Sequence, residues 1–267
     1  KIIVFAVMLV LLLAVLYPFI WLLLSSLKFE QDIVQYPPKL WPTVFTMEQY
    51  SSVWEKLPML TMFKNTLIFA TSVTLLNCLL CAMAGYAFAR LSFKGRKVLF
   101  IIIIMTMMFP FQIYMIPLYI LEAKIPILDT FWGLILPRLT WGYGIYLMRS
   151  FFISLPKDLE EAARIDGASE YRIFWRIMLP LCKPAVLTIG IMTFVNNWND
   201  LAYPLLLTNS VQMRTLSAGL AMFVGQRIIE YGATLAASMV SLIPLLIIYI
   251  FLQRYFVKGI SLSGMKG

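Results

Sequence analysis

The sequence predicts an all-α, polytopic membrane protein with six transmembrane helices. Three observations predict it. First, 61% of the 267 residues are hydrophobic and 13% are charged. Soluble domains carry about 45–50% and about 25%, so too little polar surface exists here to cover a water-soluble globule. Second, apolar residues gather in six runs, roughly 2–24, 63–89, 98–120, 131–152, 184–207 and 233–256. Each reaches the ~17–25 residues that a bilayer requires. Third, one long polar break, Leu155 to Pro180, separates the fourth run from the fifth.

The first run, Ile2 to Leu24, exceeds the ~7–15 residues of a signal-peptide core, and no A-x-A cleavage site follows it. It reads as a span. The chain opens on Lys1 rather than Met, so further residues are expected before it. The loop from Lys28 to Pro58 carries Tyr36, Trp41, Tyr50 and Trp54 among prolines, aromatics that suit a membrane interface. In the second run, Cys78 and Cys81 form a C-x-x-C, read as two small helix-facing residues. Three cysteines make no even-numbered disulfide framework. Met105, Met107 and Met108 in the third run read as flexible core packing. Pro180, Pro184, Pro204 and Pro244 are expected to mark helix ends or kinks. Residues 1–61 are read as the first span and an extracytoplasmic loop, 62–256 as the transmembrane domain, and 257–267 as a cytoplasmic tail.

The net charge is +9 and histidine is absent. The absence excludes histidine-based catalysis, proton relays and metal sites. In a membrane chain a basic excess sets orientation and does not point to nucleic acid. With the N-terminus inside, fourteen Lys and Arg residues fall in inner segments and seven in outer ones. That bias places both termini in the cytoplasm.

The polar break, SLPKDLEEAARIDGASEYRIFWRIMLPLCKP over 154–184, reads as two short helices. Pro156 suits a first helical position. Asp158, Glu160 and Glu161 complement the helix dipole in the first turns. Leu159, Ala162 and Ala163 share one face by spacing. Gly167 ends this helix, and Ser169 caps a second one through Ile173, Phe174 and Ile177. From the residues alone, an amphipathic hairpin that merely links two spans explains the segment as well as a docking element does.

The run Glu161-Ala162-Ala163, then Gly167, then Ile177-Met178-Leu179-Pro180 resembles the EAA signature of ABC importer permeases, without a gap. Other stretches resemble the carbohydrate branch of that family, in the smaller (MalG-like) permease of the maltose transporter family. They are Ser26-Leu27-Lys28, Pro38-Lys39-Leu40-Trp41-Pro42, Ala84-Gly85-Tyr86-Ala87-Phe88-Ala89-Arg90, Ile116-Pro117-Leu118-Tyr119, and Trp198-Asn199-Asp200 with Pro204. The resemblance implies a type I ABC importer permease fold in the cell inner membrane, with the 155–180 loop as a coupling-helix hairpin. Glu161, Ala162, Ala163, Asp166 and Gly167 would then dock on a cytoplasmic ATPase. Glu161 would meet a basic residue there, and the alanines would allow close approach. Ser261, Ser263 and Gly264 in the tail would reach between two ATPase subunits. The implied partners are a second homologous permease, two ATPase subunits and an extracytoplasmic sugar-binding protein. The chain itself has no G-x-x-x-x-G-K-[ST] phosphate loop, so ATP and Mg²⁺ are assigned to the partner subunits. No cofactor or metal is expected here.

Polar groups at membrane depth are costly and face a cavity or a partner. Asn196, Asn197, Asn199 and Asp200 lie about 18–24 Å along the fifth run. Their amides suit sugar hydroxyls, and equally an interhelical cluster or the lining of a cavity between subunits. Arg138, where the related subunits carry an uncharged residue, has two readings. It pairs with Asp200 across the bundle, or it faces the pathway and favours an anionic, uronate-type saccharide. Tyr143, Tyr146 and Gln112 line the same space or pack ordinarily. The alternatives from other classes are a secondary transporter and a membrane-embedded enzyme. Against the first, only Asp200 approaches a coupling-ion site and no inverted halves are evident. Against the second, no nucleophile stands with its base.

Overall fold

A computed structural model describes residues 2–224 and 230–264, with the backbone alone at 222–224, 248 and 251–264. No strand occurs among the described residues. The apolar runs become helices, but several are broken. The chain divides into two compact units, Lys1–Asn65 with Arg214–Ile248, and Thr66–Met213 with Tyr249–Gly267.

In the first unit, Ile2–Ser26 is one helix of 25 residues, apolar on every side, with burial only at Leu24, Ser25 and Ser26. A helix with no polar face needs lipid around it. Beyond it the loop folds back. Lys28 is buried, its Nζ donates to Lys39 O at 2.5 Å, and it sits 4.9 Å over the Trp21 ring. Ser26 Oγ and Tyr50 OH lie 2.8 Å apart, and Gln49 Nε2 donates to Lys28 O at 3.2 Å. The helix Tyr231–Gly264 has no acidic residue in its first turn. Glu30 supplies that charge from a distance, its carboxylate accepting from Tyr231 N and Gly232 N at 2.8 Å each. Negative charge at a helix N-terminus satisfies its orphan N–H groups and its dipole.

The second unit contains the Met59–Arg90 helix, 32 residues long, from Thr66 onward. Gly85 lets it cross Gly142–Ser154 closely, since a Cβ there would stand 2.5 Å from Met148 Cβ. Gly144 does the same, 2.7 Å from Cys81 Sγ. Cys78, Cys81 and Cys182 are free thiols. Cys81, Tyr86, Met148, Phe152, Phe174 and Met178 belong to one buried core, while Phe69, Val73, Leu134, Tyr203 and Leu207 make another.

The six expected runs do not become six continuous spans. Ile2–Ser26 and Met59–Arg90 are each long and apolar enough to cross a membrane. The third run splits into Arg96–Thr106 and Phe111–Lys124, bent by 100°. Pro110 stands at the break: it has no N–H to continue the first helix, disfavours helical backbone at Phe109, and is itself the extended N-cap of the second helix. The fourth run breaks between a 3-10 turn, Leu136–Arg138, and Gly142–Ser154. The fifth is Lys183–Trp198 and then Ala202–Leu207. Glu170–Leu181 meets Lys183–Trp198 at a 76° bend. Counting each bent pair as one span gives up to four among the described residues, by length and composition. Pro180 and Pro184 stand at helix starts, whereas Pro204 and Pro244 lie inside helices. The methionines expected as packing instead stand exposed, Met108 by 78%.

Candidate functional site

The polar break folds as a helical hairpin. Asp158–Ile165 forms its first helix. Gly167 turns the chain with φ +77°, in open space, a conformation that residues with a Cβ rarely take. Ser169 caps the second helix, its Oγ accepting from Arg172 N. That helix is α-helical over Glu170–Ile173, π-helical over Phe174–Met178, and ends at Leu181. Pro180 leaves Arg176 O without its usual helical donor, which accounts for the widened turn before it. Pro156 precedes the first helix by two residues rather than opening it.

The faces differ from the spacing argument. Glu160 and Ala163 are buried, while Leu159, Glu161, Ala162, Asp166 and Gly167 are exposed. The cause is Arg90. Its Nε stands 3.3 Å from Glu160 Oε1, with both side chains about 95% buried. Its Nη2 donates to Phe152 O and Leu155 O, at 2.6 Å each. Arg164 joins Glu160 at 3.7 Å and donates to Glu170 Oε1 at 2.7 Å. Tyr86 OH donates to Glu170 Oε2 at 3.0 Å. Burial pushes the Glu160 carboxyl up, against the pull of Arg90 and Arg164. The Arg164 hydrogen bond holds the Glu170 carboxyl below its ordinary value. Arg90, Glu160, Glu170 and Tyr86 were missed by sequence reasoning. An arginine closing an apolar helix was the one available signal, and it names no partner.

A second site is a cavity of about 780 Å³ in the same unit. The Leu136–Arg138 turn and the Lys183–Trp198 helix bring Arg138, Thr193, Asn196 and Asn197 to it, and Trp141 and Tyr143 add rings. Arg138 is ion-paired with Asp200, and its guanidinium lies 3.8 Å over the Tyr203 ring. Tyr203 itself stacks on Phe111 at 4.3 Å. Asn197 Nδ2 donates to Thr193 O at 2.7 Å. Asn197 Oδ1 and Thr193 Oγ1 are buried without a hydrogen-bond partner.

The remaining candidates fall elsewhere. Asn199 is exposed, donating to Val195 O at 3.1 Å, and does not line the cavity. Gln112 is exposed and also off the lining. The side chains of Ser261 and Ser263, and the surroundings of Gly264, lie outside the described residues.

Residues 81–262 match the family described as binding-protein-dependent transport system inner membrane component. The chain belongs to that family. It is 34% identical to the arabinooligosaccharides transport system permease protein AraQ of Halalkalibacterium halodurans, over 94% of this chain and 91% of the relative. It is also 34% identical to the trehalose/maltose transport system permease protein MalG of Thermococcus litoralis, over 94% and 92%. In structure it resembles a chain of a bacterial ABC transporter that imports the acidic polysaccharide alginate, with TM-score 0.84, 27% identity and 95% of both chains covered. The fold is thus that of an ABC importer permease. The chain is a membrane-embedded, non-catalytic permease subunit, and ATP hydrolysis resides on a separate subunit.

Proposed function

We propose that this chain forms half of the pathway of an ATP-driven importer of oligosaccharides. The observation that carries the reading is the hairpin. Its inner face is fixed by the Arg90–Glu160 pair, and its outer face presents Glu161 and Ala162 beside Ile165, 86% exposed, and Tyr171, 74% exposed. Acidic and apolar groups left uncovered on so firmly held an element suit a protein partner. In this reading the partner is a cytoplasmic ATPase, which carries ATP and Mg²⁺. A second homologous permease completes the pathway, and an extracytoplasmic sugar-binding protein delivers the cargo. The six apolar runs each cross, the breaks lining the pathway where irregular backbone is tolerated. Both termini then lie in the cytoplasm of a cell inner membrane. Nucleotide closure of the ATPases moves the hairpin and biases inward- against outward-facing states. The saccharide class rests on the arabinooligosaccharide, trehalose/maltose and alginate systems to which the chain is similar.

The test is the complex copurified from native membranes and reconstituted in vesicles. Glu161→Lys should still insert and assemble, but should lose most of the ATPase stimulation by loaded binding protein. Normal stimulation in the Glu161→Lys complex would overturn the docking assignment.

A further inference from the structure

The cavity beside Arg138 has a lining that binding of a carbohydrate ring would use. Trp141 and Tyr143 offer aromatic faces, and the apolar C–H faces of a sugar ring pack against such faces. Asn196, Asn197 and Thr193 offer donors and acceptors beside them. Two of these are unfinished within the chain. Asn197 and Thr193 are each 4% exposed, and Asn197 Oδ1 and Thr193 Oγ1 have no hydrogen-bond partner. Buried polar atoms ordinarily find one. At about 780 Å³ the space lies within the range of small-molecule pockets.

Charge decides which sugar. Among the described residues Arg138 is the one ionisable cation on the lining, and Asp200 holds it. The Asp200 side chain is 8% exposed. Arg138 Nε is buried without a hydrogen-bond partner and Asp200 occupies Nη2, so donors remain. But Asp200 already balances the charge. A carboxylated sugar would either bring in an uncompensated negative charge or draw the guanidinium away and leave the Asp200 carboxylate buried and unpaired, both strongly unfavourable. An uncharged sugar meets no such obstacle. After small side-chain rotations that turn Asn197 Oδ1 and Thr193 Oγ1 to the cavity, its hydroxyls can satisfy both while the ion pair stays closed.

We infer that this cavity is a saccharide subsite of the chain itself, built for an uncharged sugar residue, with the Arg138–Asp200 pair discriminating against uronates. The inference rests on the oligosaccharide-importer reading and adds the charge of the cargo. It sets this chain apart from the alginate importer it resembles in fold.

The test is equilibrium dialysis of labelled trisaccharides against the assembled complex in nanodiscs, without binding protein. The probes are arabinotriose, maltotriose and trimannuronate. In the wild-type complex at least one neutral probe should bind about tenfold more tightly than trimannuronate. Thr193→Val should weaken the neutral probe about fivefold, the cost of one lost hydrogen bond. Asp200→Asn, which frees the guanidinium, should strengthen trimannuronate binding about tenfold. Trimannuronate binding as tight as the tighter of the two neutral probes in the wild type overturns the charge assignment, whatever the variants do. Absence of neutral binding overturns the subsite. If the same preparation retains its ATPase subunits and its stimulated hydrolysis, the importer reading stands while the subsite falls. A preparation that never assembles with an ATPase sinks the importer reading instead.

Discussion

Arg90 and Glu160 form the contact on which the hairpin depends. Both side chains are about 95% buried, so each charge has exchanged water for the other, and Arg90 also for two carbonyls. Such a pair adds little over an apolar substitute, but breaking it strands a charge. Arg90→Ala should therefore cost roughly 3–5 kcal/mol, read as a lowered thermal midpoint of the purified protein. Glu160→Gln should cost less, because Arg90 keeps its two carbonyl acceptors and the amide oxygen can still face it, while a carboxyl that burial disfavours is removed. Glu170 behaves differently with pH. Its folded value lies below 4.5, so its contribution is complete at neutral pH and disappears as pH falls below 4.5 toward that value. In Glu170→Gln the acid limb of a stability-against-pH curve should be shallower than in the wild type. None of this was legible from spacing. Glu160 reads in sequence as a first-turn acid facing the dipole, and Arg90 lies 70 positions away. Glu161, one residue on, carries the legible motif and stays exposed.

At the level of elements, the positions of the helices were legible and their continuity was not. Hydropathy locates apolar segments because the bilayer makes length a requirement. It is blind to backbone donors, and the breaks fall where proline removes them or where two elements cross closely. Gly85 and Gly167 show two separate demands on glycine. At Gly85 the backbone is helical and the constraint is space, with Met148 Cβ 2.5 Å from where a Cβ would stand. At Gly167 space is open and the constraint is φ +77°. Gly85→Ala should destabilise by about 1–3 kcal/mol through overpacking. Gly167→Ala should cost about 1–2 kcal/mol through the left-handed backbone alone. A double variant should show additive losses in thermal unfolding, since the two costs arise independently. Strong coupling between them would mean that the hairpin turn and the helix crossing move together.

For the whole molecule, topology turns on which broken segments cross. A 100° bend between Arg96–Thr106 and Phe111–Lys124 is compatible with a crossing helix broken at Pro110, or with a segment that enters and returns. The alternatives differ in parity, and three positions separate them. Lys94 is exposed before the bent segment, Ile125 is 52% exposed after it, and Tyr171 is 74% exposed on the hairpin. If the bent segment crosses, Ile125 faces outward while Lys94 and Tyr171 face the cytoplasm. If it returns, Ile125 shares the side of Lys94. Cys81 and Cys182 are buried and Cys78 is half-buried, so a cysteine-free background should need only conservative replacements. In intact cells a membrane-impermeant maleimide should label Ile125→Cys and spare Lys94→Cys and Tyr171→Cys until the membrane is opened. Protection of Ile125→Cys in intact cells, alongside Lys94→Cys, would remove the third crossing and with it the six-span reading. The parity of six crossings is also what puts the hairpin on the side where ATP is found, so this labelling bears directly on how transport is driven.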